Sequence, residues 1–74
     1  MSLTYTLTVS GSVVHTGTFD DTQALAADVI ARAGAYGDVG ISPTELAALI
    51  DSDTGSTIDL RLLPPQITVE VSAL

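Results

Sequence analysis

Leu3, Tyr5, Leu7 and Val9 alternate without a break with Thr4, Thr6, Thr8 and Ser10. A period of two belongs to an extended strand, so one face here is apolar and the other carries hydroxyls. That pattern commits the N terminus to a half-buried strand, and the chain to a sheet with one face that needs a cover. Ser10-Gly11-Ser12 is a turn signal, and Val13 to Phe19 returns as a second strand.

Two registers are open for this hairpin. A two-residue Gly11-Ser12 turn pairs Val9 with Val14 but moves Phe19 to the threonine face. A three-residue loop pairs Val9 with Val13, Leu7 with His15, Tyr5 with Gly17 and Leu3 with Phe19. The second is preferred, because a one-residue slip would expose the only Phe. It also lays the Tyr5 ring over the bare backbone of Gly17.

Asp20-Asp21-Thr22-Gln23 opens a helix, since acids accept from free N–H groups and suit its positive end. The spacing of Leu25, Val29 and Ala33, with Ala26 and Ile30 beside them, carries the helix to about Ala33, with Gly34 as its stop. A flexible connection, Gly34 to Gly40, follows. Its Gly34, Gly37, Gly40 spacing lacks the strand and lysine of a phosphate loop. The second helix has full punctuation: Ser42 as N-cap, Pro43 at the first position, Glu45 closing a capping box, and Ile41 with Leu46 as a staple. Leu46, Leu49 and Ile50 are its expected buried face.

A second hairpin ends the chain. Ile58, Leu60 and Leu62 alternate with Asp59 and Arg61; Ile67, Val69 and Val71 alternate with Thr68, Glu70 and Ser72. Leu63-Pro64-Pro65-Gln66 is the loop, since consecutive prolines cannot continue a ladder. Pairing Leu62 with Ile67 places Leu60 against Val69 and Ile58 against Val71, all on one side. The prediction is an α+β fold of order ββααββ: two antiparallel hairpins in one four-stranded sheet, with both helices on its apolar face. In element order the chain also resembles ubiquitin-like β-grasp proteins, which is the alternative topology; the strand 67–72 departs from that pattern.

Composition narrows the functions. Seventy-four residues allow one domain, 1–74. At this size homodimerisation is a cheap source of further burial. Two Lys/Arg against nine Asp/Glu give net charge −7. Both basic residues are arginine, too few for binding a nucleic-acid backbone, although the helix-helix-hairpin order has the cadence of a winged helix-turn-helix. No cysteine is present, which removes disulfides and thiol catalysis. No apolar run is long enough for a membrane span, and no signal peptide is expected. The joint absence of Lys and Asn hints at a GC-rich genome. The lone His15 has no nucleophile partner in the sequence, so a rim histidine beside Leu7 is expected and no catalytic residue is assigned.

Two surfaces stand out. Asp51 and Asp53 lie near a helix C-terminus, where the dipole disfavours negative charge, and Asp59 is expected opposite Glu70, like charge against like. Arg61 is the expected neutraliser. Asp51, Asp53, Asp59 and Glu70 form a candidate acidic patch for a basic protein surface. Thr4, Thr6, Thr8, Thr16 and Thr18 form a flat hydroxyl face, a candidate contact surface; such Thr-x-Thr rows also resemble ice-binding proteins. Asp51-Ser52-Asp53-Thr54-Gly55-Ser56-Thr57-Ile58-Asp59 resembles the calcium loop of EF-hand and dockerin proteins. It departs at Gly55, at Ser56 in the place of the loop glycine, and at Leu62 in the place of the bidentate acid. No metal or cofactor is therefore assigned.

The expected function is a small acidic protein-interaction module, not an enzyme. An accessory or assembly subunit acting in the cytoplasm or in a virion, phage- or virus-encoded, fits a chain that reads as a complete small gene product. Its partner is a protein or a second copy, with no nucleic acid and no membrane. The alternatives are an acidic inhibitor or nucleic-acid mimic on a basic site, and a weak calcium-binding module.

Overall fold

The alternating N-terminal segment folds as strand β1 (Leu3–Val9), with Leu3, Tyr5, Leu7 and Val9 buried and Thr4, Thr6 and Thr8 half-buried on the other face. The structure is a computed structural model and describes residues 2–52 and 57–73. After β1 come β2 (Ser12–Phe19), α1 (Thr22–Ala33), α2 (Pro43–Ser52), β3 (Thr57–Arg61) and β4 (Ile67–Ala73). The strands form one antiparallel four-stranded sheet in the order β2-β1-β4-β3. The N- and C-terminal strands are central neighbours, and each hairpin's inner partner lies at an edge. The strand that departs from the β-grasp pattern is thus a core strand, and the ββααββ reading stands.

The first hairpin keeps the preferred register over most of its length: Leu3 pairs Phe19, Tyr5 pairs Gly17 and Leu7 pairs His15. Its turn differs from the three-residue loop. Val9 pairs Ser12 around Ser10 (φ 51) and Gly11 (φ 83), the positive angles of a type I′ turn. A bulge opposite Leu7 and Thr8 absorbs the extra residue, which restores Phe19 to the apolar face. Val13, expected opposite Val9 on the core side, pairs Thr8 and is 63% exposed. Gly17 behaves as predicted: a Cβ there would lie 2.9 Å from the Tyr5 ring.

The second hairpin slips by two residues from the expected pairing. Ile58 faces Val69, Asp59 faces Thr68, and a bulge brings Arg61 opposite Ile67. Leu62, expected in the core, is exposed in the loop together with Leu63. The bulge has a physical reason in Arg61. Its guanidinium donates from Nη1 to the Asp38 carbonyl (3.0 Å) and from Nη2 to the Pro64 carbonyl (3.3 Å), beside Gly37. Arg61 therefore pins the 34–40 connection to the 62–66 loop instead of lying on the outer face.

The helices form as their punctuation dictates. Asp21 caps α1 by accepting from the Gln23 N–H (3.3 Å), and Gly34 ends it in right-handed geometry (φ −60), not as a left-handed stop. Ser42 and Glu45 close the capping box, Glu45 N–H to Ser42 Oγ at 3.2 Å and Ser42 N–H to Glu45 Oε1 at 3.5 Å. In α2 the buried residues are Leu46, Ala47 and Ile50; Leu49, expected inside, is 46% exposed. Both helices pack on the Leu3, Tyr5, Leu7, Ile67, Val69 and Val71 side, giving one continuous core.

Candidate functional site

The outer sheet face is built by strand parity and sheet order. Residues opposite the buried ones point away from the helices, and adjacent strands bring them into rows. One row runs Thr18, Thr4, Ser72; the next runs Thr16, Thr6, Glu70, Thr57; the third includes Thr8, Thr68 and Asp59. Thr4 and Thr18 share a hydroxyl–hydroxyl hydrogen bond of 3.2 Å. All five threonines read from the sequence thus share one face. Thr57, Thr68 and Ser72 belong to it as well. The alternation of 67–72 already put Thr68 and Ser72 on a polar face, but only the adjacency of β4 to β1 makes it the same face.

The acidic patch divides. Asp59 and Glu70 sit on the outer face and are exposed, but not opposite each other: Asp59 pairs Thr68 and Glu70 pairs Thr57. The two-residue slip removes the expected head-on repulsion without Arg61, which lies on the helix side. Asp51 lies in the last turn of α2 in the helix layer, exposed, and Asp53 lies outside the described residues. Asp59 and Glu70 therefore join the threonine face, and they are its only charged side chains among the described residues.

The calcium-like segment has Asp51 in a helix and Asp59 within a strand; residues 53–56, including Asp53, lie outside the described residues. Among the described residues no three His, Asp or Glu groups gather to hold a metal. Nor, among them, is any helix long and apolar enough to cross a membrane.

A second polar group, unread in the sequence, lies between the sheet and α1. The Tyr5 hydroxyl donates to Asp28 Oδ2, His15 Nε2 stands 3.9 Å from the same oxygen, and Arg32 Nε stands 3.7 Å from Oδ1. The Tyr5 ring is fully buried, stacked on Phe19 (6.2 Å between centroids) and tilted against His15 (5.8 Å). Burial, then the hydrogen bond to Asp28, push the Tyr5 hydroxyl far above its usual phenol range. The arrangement holds a proton on Tyr5 and ties β1 to α1. The Asp28–Arg32 spacing was the only available sequence signal, since the Tyr5 and His15 contacts span distant positions. His15 takes the rim position expected of it, at 32% side-chain exposure.

No family model matches the chain, and no curated protein or solved structure matches it. The fold and surface define a class only: an antiparallel α+β sheet covered by helices on one face.

Proposed function

We propose that this is a small acidic, non-enzymatic protein-interaction module, an accessory or assembly subunit that docks a protein partner on its outer sheet face. The observation that carries the reading is the combination on that face. It is broad, hydroxyl-lined and without a covering layer among the described residues, and its only charges there are Asp59 and Glu70. Threonine side chains are stiff at χ1 and held by strand neighbours, so a partner immobilises little that is not already fixed. The complementary surface presents hydrogen-bonding groups along the Thr4–Thr8 rows and Lys or Arg toward Asp59 and Glu70. Small size and an acidic, lysine-free composition suit an accessory protein of the cytoplasm or of a virion, phage- or virus-encoded.

Affinity capture with the wild-type chain and three variants tests this. Thr6→Arg and Glu70→Arg alter the outer face; Ala48→Arg alters the exposed side of α2. The expected result is one partner retained by the wild type and Ala48→Arg and lost by both face variants. A partner lost only with Ala48→Arg would move the site to the helix layer. Capture that depends on Glu70 but not on Thr6, and collapses with salt, would favour the acidic-inhibitor reading.

A further inference from the structure

The two edges of the β2-β1-β4-β3 sheet are chemically unlike. β3 is five residues long, carries Asp59 and Arg61, is bulged, and runs into Pro64-Pro65. Shortness, charge, bulges and proline are the devices that stop an edge from accepting another strand. β2 has eight residues and none of them is Asp, Glu, Lys, Arg or Pro. Its one bulge lies at the turn end, opposite Leu7 and Thr8, and leaves His15 to Phe19 in regular register. Among the described residues no strand pairs with its outer side.

Charge leaves this edge open to a second copy. At net charge −7, two copies repel wherever acid meets acid. The β2 edge has no acid of its own, and Asp28 behind it is engaged by the Tyr5 hydroxyl and Arg32. On the α1 flank beside that edge, exposed Ala24 and Ala31 stand one turn to either side of Asp28, and the long side chain there, Arg32, is drawn to Asp28 at 3.7 Å.

We propose that a second copy of this chain adds antiparallel to the His15–Phe19 segment of β2, about a twofold axis at Gly17. The product is one continuous sheet of two chains. Thr16 of one copy lies opposite Thr18 of the other, and the axis position carries no side chain. Such an interface is self-complementary, as a closed dimer requires. The outer hydroxyl face becomes continuous across both copies, but the pairing does not depend on what that face binds.

Light scattering of the full chain over a concentration series reads the outcome. The expected mass approaches twice 7.6 kDa. Thr16→Lys/Thr18→Lys sets lysine against lysine across the axis and returns the mass to one chain, as does Thr16→Glu/Thr18→Glu. An equal mixture of the two restores the doubled mass. A wild type that stays monomeric at the highest concentration overturns the proposal, and is also the result expected if the edge serves a foreign strand. So does a dimer that survives in the lysine variant but dissociates with Thr57→Lys on the opposite edge. The cysteine-free chain allows a second readout that keeps the edge neutral. Oxidising a mixture of Thr16→Cys and Thr18→Cys chains yields a mixed disulfide dimer, whereas Thr16→Cys alone yields none; no mixed dimer overturns the pairing. Thr6→Arg, which disables the proposed docking face, leaves the mass doubled, so the two readings fail separately.

Discussion

The two faces of this sheet use the same strands for opposite ends. On the helix side β1 presents Leu3, Tyr5, Leu7 and Val9, buried under α1 and α2; one residue along, Thr4, Thr6 and Thr8 are half-exposed. The inner face is a close-packed interior, where each atom removed leaves a void that the surroundings fill only in part. The outer face has cross-strand threonine contacts but, among the described residues, no second layer, so its side chains add little to stability. On the proposed function, stability and recognition fall to different residues of the same strand. A surface uncoupled from the core can be altered with little cost to folding.

Substitutions on either side break or sharpen this contrast. The largest effect is expected at Leu7, central in the sheet and fully buried. Leu7→Ala should lower the unfolding free energy by about 2–5 kcal/mol, read from denaturant midpoints; a loss no larger than that of a threonine variant would erase the contrast. Next is Gly17→Ala, whose new methyl meets the Tyr5 ring at 2.9 Å. It should cost about 1–3 kcal/mol by overpacking, and the near-ultraviolet circular dichroism of the tyrosine should change with it.

Tyr5→Phe keeps the ring and removes the donor to Asp28. Asp28 is partly solvated, so the loss is held to about 1 kcal/mol. Its signature is in pH. The Tyr5 hydroxyl is raised in the folded state, so above the ordinary phenol pKa of about 10 the folded chain holds a proton that the unfolded chain has released. Stability from Tyr5 is complete below that pH and falls as pH rises through it. Thermal melts from pH 8 to 11 should show this decline in the wild type and a smaller one in Tyr5→Phe; parallel curves would remove the role given to the phenol. The smallest effect is expected on the outer face, where Thr6→Ala should shift stability by no more than about 0.5 kcal/mol.

Much of the fold was legible because local signals agreed. Strand alternation, the Ser42–Glu45 capping box and the Asp21 cap each place an element within a residue or two of where it lies. The misses share a cause. Over Thr57–Asp59 the second hairpin slips by two residues, which keeps those side chains on their own faces, so hydrophobic parity was blind to the slip; past it the bulge turns Arg61 to the helix side. With the slip goes Arg61, which reaches the Asp38 carbonyl in a segment far away in the chain and the Pro64 carbonyl in its own loop. Leu49 and Ala47 flank the Leu46–Ile50 stripe on opposite sides of the helix, and the orientation of α2 buried the smaller one. The threonine face was half legible: β1 and β2 are joined by a turn, whereas β4 reaches β1 only through tertiary pairing.

The sequence by itself determined the elements, their order and which face of each strand is apolar. Those properties follow from side-chain period and capping chemistry, which act over a few residues. Only the tertiary structure decided the strand order, the register of the second hairpin, the division of the acids between two layers and the Tyr5–Asp28 tie. Each depends on contacts between residues distant in the chain, and no local pattern encodes the free energy of those contacts.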